Sequence, residues 1–291
     1  MVDKTRKRRT QAEINQLSDQ IVEVLQEDHP MSIRHIFYLM TNPRLPVSVP
    51  KTDKGTPNGY KIIQYHLTRM RREGLIPYGW ITDATRRGFH VYTYDGHKDF
   101  LRRVAGMYRA NLWGYADHYV EVWCESRSIA GIIEDDCEEL AVSLYPAGGF
   151  SSITLAYQAA EQISRATNHR AVPAQIIYVG DYDPAGVLID HSIEKELRRH
   201  VDADVELNFH RIAITPEQIA EYDLPTKPRK AKDKRSKHIQ GTVEAEAMPP
   251  RILRAILRET VESFLPPHAL EVAKIAEADE QRTLLELAGA A

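Results

Sequence analysis

Apolar residues near the start of the chain fall at helical spacing: Ile14, Leu17, Ile21, Val24 and Leu25 between Gln11 and Gln26. That stripe predicts an amphipathic helix, ended by His29 and Pro30. Ser32 then stands where an N-cap belongs, ahead of a short helix from Ile33 to Met40 that turns Ile33, Ile36, Phe37 and Met40 toward a core. After a Pro-rich loop, Ile62, Ile63, Leu67 and Met70 mark a third helix from Tyr60 to Glu73, with Arg69, Arg71 and Arg72 crowding its end before Gly74. Two strands are expected next, around Trp80 and over Phe89 to Tyr94, joined by a turn at Arg87 and Gly88. A further helix, from Phe100 to about Asn111, carries Leu101, Val104 and Met107. Beyond Tyr115 the pattern changes. Strands at Tyr119–Cys124, Ala174–Val179 and Glu206–Ala213 are separated by helices over Ile129–Leu140, Ser152–Arg165 and Pro184–His200, and the end of the chain from Pro249 to Ala288 reads as helical.

Two architectures follow. Three short helices and a strand pair spell a winged helix, and strands alternating with helices spell a parallel sheet covered on its faces. The fold class is therefore α/β, divided into a winged-helix domain over 1–112 and a second domain over 113–291 with a helical end.

Charge sharpens this division. The 291-residue chain has a net charge of -3. Residues up to Leu112 hold 19 Lys/Arg against 11 Asp/Glu, about +8, and the remainder 19 against 30, about -11. The front half is the expected phosphate-binding surface, because cations placed along the backbone supply most of DNA affinity. A winged helix puts one helix in the major groove and its hairpin against the backbone, which makes Arg69, Arg71, Arg72, Arg86 and Arg87 candidate DNA contacts. A second basic run, Lys227 to Lys237 within a loop over 227–238, holds seven Lys/Arg against Asp233, and adds Lys230, Lys232 and Arg235. A solvated basic surface, or a winged helix that docks protein, would look the same.

No apolar run reaches the roughly 18 residues of a membrane span, and the basic N-terminus has no apolar segment after it. Cys124 and Cys137 lack metal-ligand spacing, so buried, reduced thiols in a cytoplasmic, nucleoid-associated protein are expected.

The chemistry concentrates in Gly180-Asp-Tyr-Asp-Pro-Ala-Gly186, at the carboxyl end of the most apolar strand, where open α/β sheets place their ligands. Alternate residues share a side, so Asp181 and Asp183 can hold one hydrated cation, and Pro184 suits the first turn of the next helix. Glu125 ends another strand and would reach the same edge if the strands are neighbours. Such hard oxygen donors suit Mg2+, with Mn2+ as a substitute. Helix capping is the alternative role for the two aspartates. Gly148 and Gly149, before a helix start at Ser151 or Ser152, would let backbone amides hold a phosphate, or serve only as a turn.

A glutamate at one strand end, a glycine turn, then DxDPxG at a later strand end resembles the TOPRIM domain of topoisomerases, primases and certain nucleases. More narrowly, the chain resembles the A subunit of topoisomerase VI and the meiotic double-strand-break proteins. Arg211–Ile219 with Leu224-Pro225 looks like the stretch that follows TOPRIM in that family, and Val243–Pro250 like its acidic segment, in which Glu244 and Glu246 are further acids of undetermined direction. Arg34-His-Ile-Phe-Tyr38 resembles the motif of the catalytic tyrosine. The resemblance covers most of the chain. The segment Trp80–Arg86 is closer to bacterial and phage chains with a winged helix ahead of TOPRIM, and no ATPase module is present, so a separate GHKL-type ATPase subunit would be needed for strand passage.

What the resemblance implies is Mg-dependent transesterification of double-stranded DNA, with Tyr38 as nucleophile, Arg34 stabilising phosphate or phenolate, Glu125 as a catalytic acid-base group, and Glu125, Asp181 and Asp183 as metal ligands. One tyrosine cuts one strand, so a homodimer is expected, with Tyr38 of one subunit meeting the metal site of the other. Two other readings stay open: a TOPRIM nuclease with water as nucleophile, and a DNA-binding or partner-docking protein without turnover.

Overall fold

Thr10 and Glu13 form a reciprocal capping box that starts α1 (Gln11–Glu27), whose Leu17, Ile21 and Leu25 are fully buried. The computed structural model describes residues 9–52, 58–82, 91–148, 153–228 and 241–290. The strand β1 (Met31–Ser32) leads into α2 (Ile33–Met40), capped as expected by Ser32, which accepts from the His35 amide. Asn58 caps α3 (Gly59–Arg72), which buries Ile63, Leu67 and Met70 and carries its three arginines in the last turn, where cations complement the helix dipole.

The strand pair expected next takes another form. Among the described residues of this stretch only Ile81–Thr82 (β2) is a strand, and it pairs in parallel with β1. Val91–Tyr94 is not in a strand, and the expected turn at Arg87 and Gly88, like Phe89, lies outside the described residues. The helix expected over Phe100–Asn111 runs instead from His97 to Ala105 (α4), with Gly106 at its C-cap.

The second half follows its sequence pattern closely. In order come β3 (Tyr119–Cys124), α5 (Arg127–Glu139), β4 (Ser143–Pro146), α6 (Ile153–Arg170), β5 (Ala174–Val179), α7 (Gly186–His200) and β6 (Leu207–Ala213). The four strands form one parallel sheet, ordered β4-β3-β5-β6. Every residue of β5 is buried, as expected of a central strand with both faces covered. After α8 (Pro216–Glu221), β7 (Lys227–Pro228) pairs antiparallel with β8 (Gly241–Thr242), and the chain ends in α9 (Pro250–Glu262) and α10 (Ala269–Ala290).

One hydrophobic cluster runs from Leu17, Phe37 and Met70 through Val122, Ile133 and Val179 to Leu257, so both halves of the chain share a core. Polar ties cross the same boundary. Ser128 Oγ donates to Ser32 Oγ at 2.7 Å, and Arg254 donates to Asp28 Oδ1 at 3.1 Å. A second cluster, around Trp123, Ile163, Tyr178 and Leu197, fills the other face of the sheet. Cys124 and Cys137 are buried free thiols. Among the described residues no helix is long and apolar enough to cross a membrane.

Candidate active site at the carboxyl edge of the sheet

Glu125 and Asp181 are brought together because β3 and β5 are neighbours in register, Cys124 opposite Val179. The Asp181 amide donates to Glu125 Oε2 at 3.0 Å. Behind them the backbone is held closely. A Cβ on Gly186 would fall 2.2 Å from the Asp181 carbonyl oxygen, so the last glycine of DxDPxG is required by close approach of the loop to the helix start. Asp183 Oδ1 accepts from the amides of Ala185 at 2.8 Å and Gly186 at 2.6 Å. Asp183 is thus the organiser of this turn. Pro184 precedes α7 rather than lying in its first turn.

Arg211 locks the loop from below. It pairs with Asp190 at 2.6 Å and donates to the carbonyls of Gly180 at 3.0 Å and Gly186 at 3.0 Å. The sheet register skips Ile212 between the pairs Tyr178–Arg211 and Val179–Ala213.

A segment distant in sequence completes the site. Tyr182 and Val243 form a two-way backbone bridge, and the Ala245 amide donates to Asp181 Oδ1 at 2.8 Å. This places Glu244 and Glu246 on either side of Ala245 at the sheet edge. Glu246 is buried and accepts from Ser126 Oγ at 3.2 Å. Burial, then the charges of Glu125 and Glu246, hold Asp181 well above the usual carboxylate range. Glu125 is pushed up by burial and by Asp183 and Glu246, against the pull of the Asp181 amide and Arg211. Glu246 is raised by burial and by Glu244.

Among the described residues no group of three or more His, Cys, Asp or Glu side chains is arranged as a ready metal-ligand set. The donor chemistry nevertheless suits a hard cation. Glu125, Asp181 and Asp183 each have one oxygen tied to backbone amides, and Glu125, Asp181 and Glu246 destabilise one another's charged forms. The buried hydroxyl of Tyr178, within electrostatic reach of Glu125, has no hydrogen-bond partner among the described residues.

Tyr38 lies beside this edge, only 3% exposed. Its hydroxyl accepts from Lys227 Nζ at 2.7 Å, and Lys227 also donates to Glu244 Oε1 at 2.8 Å. Arg34 donates to Glu244 Oε2 at 2.8 Å. Burial, then the hydrogen bond and charge of Glu244, push the Tyr38 phenol up, and Arg34 opposes them. Glu244, its burial notwithstanding, is held below the usual carboxylate range by Lys227, Tyr38 and Arg34. Tyr38 and the carboxylates are therefore linked within the chain through Lys227 and residues 244–246.

Composition groups Lys227 with a basic loop, and nothing in the sequence distinguishes it from its neighbours there. Glu244 and Glu246 were visible as acids without a direction. Of the arginines read as DNA contacts, Arg69 donates to Ser18 Oγ at 3.2 Å and lies 3.6 Å from Glu73, Arg71 sits over the Tyr78 ring at 5.4 Å, and Arg72 is exposed. Arg86, Arg87, Lys230, Lys232 and Arg235, as well as Gly149, Ser151 and Ser152, lie outside the described residues. Comparison with protein-family models, with curated proteins and with solved structures returned no match to the chain.

Proposed function

We propose that the chain is a DNA strand-breaking enzyme of TOPRIM type, similar to the A subunit of topoisomerase VI, with an N-terminal winged-helix-like domain and Tyr38 as nucleophile. The observation that carries this reading is the contact of the Tyr38 hydroxyl with Lys227, inside a network whose Glu244 adjoins the Asp181 and Glu125 edge. A cation bound by Glu125, Asp181 and Asp183 would supply positive charge to phosphoryl oxygens. The chain's own residues do the rest. Arg34 and Lys227 flank the phenol with positive charge, and Glu244, bound to both of them, is the adjacent acceptor for its proton. The phenolate oxygen bonds to phosphorus as the phosphodiester P–O bond breaks, and the leaving alkoxide takes up a proton. A double-strand break would use two copies of the chain, and strand passage through it would require a separate ATPase partner.

Burial of Tyr38 favours one alternative, a nuclease in which water attacks in its place. Supercoiled plasmid incubated with Mg2+ and then denatured, with and without protease, separates the two. The tyrosine reading expects breaks joined to protein that vanish in Tyr38→Phe and in Asp181→Ala. Free ends that persist in Tyr38→Phe and vanish in Asp181→Ala establish water as the nucleophile. DNA retention with no break in any sample overturns both.

A further inference from the structure

Glu244 is one carboxylate in direct contact with two cations. Arg34 binds one of its oxygens and Lys227 the other, each at 2.8 Å. Lys51, anchored to the Thr226 carbonyl at 3.1 Å, is close enough that its own pKa feels both Lys227 and Glu244. In another network of the described residues the acids outnumber the cations: Asp28, Asp136, Glu139 and Glu262 share Arg254, Arg258 and Lys274. The Glu244 cluster is also open to solvent, with side chains 36% exposed at Arg34, 27% at Glu244 and 31% at Lys227. A phosphodiester presents two non-bridging oxygens and one negative charge, which matches a carboxylate in both acceptor number and charge.

We infer that Arg34 and Lys227 form an oxyanion subsite in which Glu244 is a resident competitor, and that a backbone phosphate of DNA displaces it there, beside the Tyr38 hydroxyl. One monoanion replaces another, so the cations stay neutralised. The phosphate gains two charge-assisted contacts next to the candidate nucleophile, and Glu244 is released from both cations. The inference takes its ligand class from the reading above and deepens it, assigning Lys227 to phosphate recognition and Glu244 to gating.

The test reads binding alone: anisotropy of a labelled short duplex, in chelator, across a range of salt. If Glu244 fills the subsite about nine-tenths of the time, Glu244→Gln tightens binding by about tenfold. Lys227→Met loosens binding, lowers the slope of log affinity against log salt by about 1, and cancels the gain when combined with Glu244→Gln. A Glu244→Gln protein that melts like the wild type yet binds no tighter overturns the inference, as does a gain that survives Lys227→Met. Should Glu244→Gln fail to fold, Lys227→Met alone still decides, since an unchanged salt slope removes the subsite. Cleavage enters none of these arms. A protein that binds as expected but makes no break sinks the enzymatic reading and keeps the subsite. A protein that cleaves while its binding ignores Glu244 keeps the enzyme and removes the subsite.

Discussion

Glu244 and Glu246 stand two residues apart and meet opposite surroundings. Glu244 faces Arg34 and Lys227 and is held ionised below its usual range. Glu246 lies in a region of buried acids that includes Asp181 and Glu125, and there the carboxylates are raised. The difference teaches that partner charge can override burial, since burial raises both carboxylates and the direct cation contacts of Glu244 outweigh it. One region has its counter-ions supplied by the chain. The other has carboxylates that a bound cation would relieve.

Two arginines give the widest contrast. Arg211 is nearly buried and fixes five backbone and side-chain acceptors around the DxDPxG loop. Its replacement by Met is expected to cost about 3–5 kcal/mol in chemical denaturation, because Asp190 is left buried and unpaired. Arg34→Met, on the solvent-open side, is expected to cost under about 1 kcal/mol. Equal losses would erase the distinction between a structural and a substrate-facing arginine.

A third carboxylate sharpens the comparison from inside the core. Glu121, on the same strand as the Glu125 edge, is fully buried and accepts from Tyr119 Oη at 2.7 Å and Trp123 Nε1 at 3.1 Å. Burial pushes its pKa up to about 7 against these donors. A raised folded-state pKa gives stability that is complete below the ordinary carboxylate range and is lost as pH climbs to about 7. The loss is on the order of 3 kcal/mol. Glu121→Gln should flatten that slope between pH 4.5 and about 7, whatever its effect on the absolute melting temperature. A slope unchanged from wild type would show that Glu121 does not titrate in this window.

An effect smaller than those of Arg211 and Glu121 concerns the acidic region directly. Mg2+ at about ten times its dissociation constant should stabilise the wild type by about 1.4 kcal/mol, read as a rise in melting temperature. Asp181→Asn should lose that rise, while Glu244→Gln keeps it. A rise of equal size in Asp181→Asn would place the cation elsewhere.

Much of this was legible early. The strands Tyr119–Cys124 and Ala174–Val179 and the N-cap Ser32 came directly from apolar runs and capping chemistry, which act over a few residues. The DxDPxG turn was legible for the same reason, although there Asp183 accepts the Ala185 and Gly186 amides. Of the hairpin expected near Trp80, the turn lies outside the described residues, Val91–Tyr94 is not in a strand, and β2 pairs with a segment fifty residues earlier in the chain.

By itself the sequence determined the parallel α/β half, the strand ends that carry Glu125 and Asp181, and the presence of a tyrosine on a short capped helix. Only the tertiary structure decided that Tyr38, Lys227 and Glu244 meet, and that Glu246 rather than Glu244 joins the buried acids. Local pattern fixes periodicity and caps, because those forces reach one or two turns. Which charges become neighbours across nearly two hundred residues depends on strand order, on the Tyr182–Val243 bridge and on the shared core, and none of these leaves a mark at the positions it joins.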